Sequence, residues 1–562
     1  MLLELPVDVL LAVIEQLRDP FALEQLSYVS KFLWDILQSF LYKDVEVLAL
    51  SEENLDSVNI GPVLTAHNDR GVLKHTRSIS FVSPFLSPRI RRCIHDGPQE
   101  GSIVIQKLAT NVLSLIRSCT CIPPEILGPS GVLQLHHQNL ESIRLITDYH
   151  CPKCNLHPPL RLSAFEKLKK ITWIGLGSAP RFNELRSTII SRSHQLMELN
   201  LDLVSHVIIH VTKPSRAVDA LALPWLLGLD GTVKQPIFTN LRHLSLSHIP
   251  LQPEAEKLVS SIKFSTLRSL RLRNCHGWED LLKEITHSHS DIQLKTFEIT
   301  AHTESFYSKP EPGKYIRDFL GVLRGLVELY VSIDCKSSID KMWTAALQHR
   351  QTLRSFVHYR KRHSVLNSQN GLLHMDNRAY LSENPSLSDL GKLDLHFLAI
   401  SCDLIYLDIL CQRFTENSSL YVLHIRKSTY NEQNHPIPHL KNIANPSKYP
   451  DLNSPSRPQN WALRPVDGHS LPPVTDSLHE FLQWAFGPGG ISSLQIVAVG
   501  DFTYNGRYAA KNSFFCRAQS PTSDQNGCFR KYRRLLDKDR SLWALVDRYS
   551  DSLQACPTGT LL

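Results

Sequence analysis

The chain has 562 residues, 42% hydrophobic and 20% charged, with a formal net charge of +7. This balance describes a soluble, mostly folded protein and excludes a disordered one, and the length suits several domains or one elongated array. Residues 1–60 carry eleven acidic and three basic side chains (−8) and the remainder 58 basic and 43 acidic (+15), too mild a basic body to predict nucleic-acid binding.

Residues 5–45 predict three short helices. Leu5-Pro6 opens the first, where the missing N–H of proline has no intrahelical partner to lose. Leu10, Ile14 and Leu17 follow at spacings of four and three, the stripe of a helix with one apolar face. Asp19-Pro20 supplies an N-cap and a proline start for a second helix carrying Leu23 and Leu26. A third runs from about Ser27, with Val29, Leu33, Ile36 and Leu37 apolar. About 40 residues bury too little surface to be stable alone, so this unit wants a partner. No secretory signal is expected, because Glu4, Asp8, Glu15 and Arg18 interrupt the apolar residues.

This segment resembles the F-box, through which substrate receptors dock on the Skp adaptor of SCF-type cullin ubiquitin ligases. The resemblance rests on Leu5-Pro6, Leu10, Ile14, Leu17, Leu23, Leu26, Val29-Ser30-Lys31 and Leu41-Tyr42. Val7-Asp8 stands where the family often has an acidic pair, and Tyr42 replaces a frequent tryptophan. The resemblance implies adaptor contacts at Leu5, Pro6, Leu10, Ile14, Leu17, Leu23, Leu26, Val29 and Ser30.

From about residue 135 an L-x-x-L-x-L pattern returns eleven times, beginning at Leu140, Leu168, Leu196, Leu241, Leu267, Leu294, Leu326, Leu353, Leu395, Leu420 and Leu494. Six of the ten steps are 25 to 28 residues, a clustering that chance spacing does not give. The alternation predicts a short strand in each copy, and the remaining residues return the chain, often as a helix such as Trp278 to Ile285. One unit cannot bury its own faces, but stacked units share a core. The segments resemble leucine-rich repeats of the ribonuclease-inhibitor and F-box type. In the best copy, Leu267 to Cys275, a cysteine stands where that family satisfies turn backbone groups.

The expected fold is therefore α/β: an F-box over residues 1–45, a bridging region and start of the solenoid over 46–134, and an irregular leucine-rich-repeat solenoid, or horseshoe, over 135–500. Its parallel strands would line the concave face. The long steps mark insertions: residues 202–240, with the apolar run 220–229; the basic Arg360-Lys361-Arg362 region; and a Pro-rich loop at about 427–480. Residues 220–229 span about half a membrane and contain Pro224 and Gly228, so no membrane helix is expected. Residues 501–562 form a C-terminal cap, with an amphipathic helix predicted from Arg530 to Tyr549.

Chemistry-bearing motifs are few. Cys151 and Cys154, with His150, His157 and the upstream Cys119 and Cys121, suit either two pairs of zinc ligands or a loop with unpaired thiols; the second reading is taken, with no metal and no cofactor. Twelve scattered cysteines fit reduced thiols in the cytoplasm and/or nucleus. The dispersed histidines and Gly487-Pro-Gly489-Gly490 match no catalytic or phosphate-binding pattern, and an enzyme is not expected.

A partner would meet the strand positions flanking the inward leucines: Thr172, Ile174, Asn200, Asp202, Ser245, Ser247, Arg271, Arg273, Glu298, Thr300, Tyr330, Ser332, Val357 and Tyr359. Arg271 and Arg273, with Tyr330 and Tyr359, are the candidate substrate contacts, because paired guanidiniums grip carboxylate or phosphate groups. The expected function is the substrate-recognition subunit of an SCF-type E3 ubiquitin ligase, with a Skp-type adaptor, a cullin through it and a protein substrate as partners. The alternative is a non-proteolytic F-box and leucine-rich-repeat scaffold.

Overall fold

Alternating leucines drive one side of an extended segment into apolar surroundings, and all eleven leucine-patterned segments are strands in the computed structural model. The structure describes residues 6–17, 20–41, 44–48, 78–82, 141–146, 162–176, 179–203, 223–229, 235–252, 255–288, 292–301, 312–333, 339–359, 390–401, 404, 407–415, 419–426, 474–503, 512–523, 529–536 and 538–557. These fall into two compact units, one running to Leu241 and the other starting at Arg242. Leu5, the cysteines at 119, 121, 151 and 154, and most of the bridging region and the Pro-rich loop lie outside the described residues.

The first unit opens with helices α1 (Val7–Gln16), α2 (Pro20–Ser27) and α3 (Lys31–Leu41). Five parallel strands follow, each beside the next: β1 (Asp44–Leu48), β2 (Ser78–Val82), β3 (Ser142–Ile146), β4 (Lys170–Leu176) and β5 (Glu198–Leu203). The strands β1 and β2 precede the first leucine-patterned copy and lack its leading leucine. Helix α4 (Ala179–Arg192) connects β4 to β5, and α5 (Leu223–Leu226) lies in the apolar run after β5.

The second unit contains β6 (His243–Ser247), α6 (Ala255–Ser261), β7 (Ser269–Arg273), α7 (Trp278–Ser288), β8 (Thr296–Ala301), α8 (Pro312–Val322) and β9 (Glu328–Ile333). It continues through α9 (Ile339–Ala346), β10 (Ser355–Tyr359), β11 (Phe397–Ile400), α10 (Leu407–Cys411), β12 (Val422–Ile425), α11 (Asp476–Ala485) and β13 (Ile496–Val499). Strands β6 to β13 are parallel and in chain order, and the sheet is open. The protein is thus α/β, built on mostly parallel sheet.

The repeat is visible in the hydrogen bonds. The amides of Lys295 and Thr296 both reach the Arg268 carbonyl, those of Val327 and Glu328 reach Lys295, and those of Arg354 and Ser355 reach Val327. The same fork recurs at each step from β3 to β5 and from β6 to β13. It locks the register, so Leu270, Phe297, Leu329, Phe356, Leu398, Leu423 and Val497 stack into one buried spine. The leading leucines from Leu168 to Leu494 are all buried. Helices cover the spine side: Phe297 meets Phe319 of α8 edge to face, and the Trp343 indole of α9 donates to Nδ1 of His358. Cys275 occupies its expected place, its Sγ 3.2 Å from the Leu246 carbonyl of the preceding copy.

Two expectations need correction. The third helix starts at Lys31 rather than near Ser27, because Ser30 Oγ accepts the Leu33 amide and caps it there. The predicted helix from Arg530 to Tyr549 is in fact a strand followed by a shorter helix. Strands β14 (Ser513–Ser523) and β15 (Phe529–Arg534) run antiparallel beyond β13, and the helix, α12, spans Arg540–Arg548. Phe529 and Tyr532 are three residues apart, a spacing that also suits a helix, but the segment pairs with β14, where Tyr532 packs against Phe515. A short last helix, α13 (Ser550–Leu553), ends the described chain with residues 554–557.

Candidate functional site

The three N-terminal helices divide their apolar residues between a core and a surface. Leu10, Ile14, Leu23, Leu33 and Leu37 are buried together, with Leu26, Ile36, Phe40 and Leu41 packed against them. Of the residues expected to contact an adaptor, Leu10, Ile14 and Leu23 therefore hold the module together. Leu26 and Ser30 are half-buried, Ser30 as the α3 cap, while Pro6, Leu17 and Val29 are exposed. Val9 and Val13, four residues apart on α1, are exposed, and Leu17, just past the end of the helix, continues the exposed apolar row. At the turn between α2 and α3, Tyr28 and Val29 are 68% and 65% exposed, and Phe32 is exposed just beyond. The sequence reading missed Val7, Val9, Val13, Tyr28 and Phe32. Their spacing was readable, but which apolar stripe faces outward depends on how the three helices meet.

The second candidate site is the sheet face opposite the leucine spine in the unit starting at Arg242. Glu298 on β8 sits at its centre with no solvent exposure. It accepts two bonds from Arg273, at 2.7 and 2.8 Å, and the Cys556 backbone N–H at 2.9 Å. Arg271 lies 3.7 Å from Oε2 of the same carboxylate and pairs with Asp551 at 2.8 Å. Burial opposes ionisation of Glu298, but Arg273 first and then Arg271 outweigh it and hold the carboxyl below its ordinary range. Burial likewise disfavours the Arg271 charge, and Glu298 and Asp551 more than restore it. Tyr330, on the next strand, is buried and bonds Ser552 at 2.9 Å; burial raises its phenol well above the usual value.

Tyr359 belongs to an adjoining group. Its hydroxyl lies 2.8 Å from Nδ1 of His424, and the Arg426 guanidinium sits 3.9 Å above its ring. Nε2 of His424 is 2.9 Å from the Gly500 carbonyl. That carbonyl can only accept, so Nε2 carries the proton and Nδ1 accepts from Tyr359. Burial, then Arg426, lowers the His424 pKa to about 3, and the ring is neutral. Arg426 donates to the carbonyls of Cys556 at 2.6 Å and Ala555 at 3.2 Å, and reaches Asp501 at 3.4 Å.

All four candidate substrate contacts are thus brought onto one face, and all four are engaged within the chain. What covers them is the C-terminal segment. Tyr549, Leu553, Ala555 and Cys556 are buried in one cluster with Tyr330, Val357, Tyr359, Phe397, Ala399, Phe502, Phe514 and Trp543. The flanking positions Glu298, Thr300, Ser332 and Val357 are buried as well, whereas Thr172, Ile174, Asn200 and Asp202 on β4 and β5 are half-buried. His424 and Arg426 stand at the same repeat positions as the named residues and were readable from that alignment. The covering segment carries no such signal.

No protein-family model and no curated protein matches this chain. Among the described residues, no three His, Cys, Asp or Glu side chains group to hold a metal ion, and no helix is long and apolar enough to cross a membrane.

Proposed function

We propose that this chain is the substrate-recognition subunit of an SCF-type E3 ubiquitin ligase. The N-terminal module is read as an F-box that docks on a Skp-type adaptor and, through it, a cullin. The strands behind it are read as an irregular leucine-rich-repeat solenoid that binds a target protein. The observation carrying the first part is the exposed row Val9, Val13 and Leu17 beside a separately buried core at Leu10 and Ile14. Exposed apolar residues concentrated on a small helical unit mark a place where another surface belongs. The solenoid reading draws support from the hydrogen-bond fork repeated at each step. Such a protein contributes effective concentration and orientation, leaving the covalent chemistry to its partners.

The test is co-purification of a Skp-type adaptor and cullin with the full chain and with Val9→Asp/Val13→Asp. The adaptor is expected with the unaltered chain and lost with the variant at unchanged helix content. Equal recovery from both overturns the assignment.

A further inference from the structure

We propose that the face carrying Arg271, Arg273, Glu298, Tyr330 and Arg426 is a peptide-binding groove, in which Tyr549–Cys556 sits as an intramolecular stand-in for a target segment. The inference deepens the substrate-receptor reading and rests on it for the identity of the partner as a protein. The partner class follows from what the segment offers: a carboxylate, Asp551, on Arg271, and two residues later an apolar side chain, Leu553, wholly buried.

The contacts divide into general and specific ones. Arg426 grips two backbone carbonyls, and Glu298 accepts a backbone N–H. Any chain in the same conformation can make those three bonds. Specificity is left to Asp551 on Arg271, Ser552 on Tyr330, and the seat of Leu553. Stability alone gives little reason for this arrangement, because buried arginine–glutamate groups often hold a fold no better than well-packed apolar side chains. The same residues suit a face that must present charge and bond donors to an incoming peptide.

The seat is also built to open. Asp551 is 66% exposed at the rim, where solvent screens its pairing with Arg271. Cys556 adopts a left-handed backbone, φ 53°, a cost that the seating contacts must offset. Ordering eight residues opposes seating throughout, and release breaks no strand pairing. An opened segment leaves Arg271, Arg273 and Arg426 facing Glu298 and Asp501, a net positive groove suited to an acidic peptide.

Two measurements test this on the full chain, and neither involves the adaptor. In hydrogen exchange on the unaltered protein, the Leu553 to Cys556 amides are expected to exchange at least ~10-fold faster than those of β8 to β10, through local opening. Protection equal to the strands overturns the proposal. In the second, a labelled peptide of residues 549–557 is added to Leu553→Asp, which unseats the resident segment. It is expected to bind that variant, to bind the unaltered chain at least ~10-fold more weakly, and to lose affinity when its own aspartate is changed to lysine. No binding to a folded Leu553→Asp chain overturns the proposal; should that variant fail to fold, the exchange result decides. Loss of adaptor co-purification with the groove intact would instead count against the ligase reading alone.

Discussion

Arg273 and Glu298 meet as a two-pronged ion pair around a carboxylate that no solvent reaches. Removing the anion strands two guanidiniums. Glu298→Ala is expected to destabilise its unit by about 3–5 kcal/mol, read as a fall in urea midpoint. Replacing Arg271, Arg273 and Glu298 together by Met, Met and Leu should cost far less, because no charge is left unpaired. A triple variant as unstable as Glu298→Ala would show that the charges carry stability themselves.

Acid should weaken this unit in two stages. His424 has a folded pKa near 3 against 6.5 in the unfolded chain, so between those values only the unfolded chain is protonated. Its contribution is complete above 6.5 and falls as pH drops, by about 2 kcal/mol between pH 7 and pH 5. Glu298 acts later: its depressed pKa gives stability present above 4.5 and lost as pH falls through the folded value. Urea titrations of His424→Gln should lose less midpoint between pH 7 and pH 5 than the unaltered chain, and an equal loss would remove His424 as the cause.

Within the helical module, neighbouring substitutions should separate folding from docking. Ile14→Ala opens the buried core and is expected to cost about 2–5 kcal/mol, melting the helices as followed by circular dichroism. Val13→Asp, one residue earlier on an exposed position, should leave helicity unchanged and weaken adaptor binding at least ~10-fold in a titration.

Ser30→Ala removes the cap from α3 without touching the exposed row. The expected loss is about 0.5–2 kcal/mol of module stability, with adaptor affinity unchanged once corrected for the folded fraction. A proportionate loss of affinity in fully folded protein would place Ser30 in the docking surface.

The repeat was legible because its signal is local. Each L-x-x-L-x-L copy carries its own period-two alternation, and all eleven copies became strands. The helix opening at Trp278 followed from the same local reasoning, whereas the turn position of Cys275 was expected from the resemblance to leucine-rich repeats. The hairpin at β14 and β15 was partly hidden, because Phe529 and Tyr532 stand three residues apart among basic side chains, a pattern that reads as a helix as readily as a strand.

The sequence by itself determined the positions of the eleven leucine-patterned strands, the small helical module and the repeat positions of Arg271, Arg273, Tyr330 and Tyr359. Only the tertiary structure decided which apolar residues of the module face outward, and that those four side chains are already occupied. The reason is distance along the chain. Glu298 and Cys556 are joined by a hydrogen bond across 258 positions, and no periodicity connects them. Strand and helix patterns record a residue's near neighbours, whereas the occupant of a shared face is chosen by the packing of the whole unit.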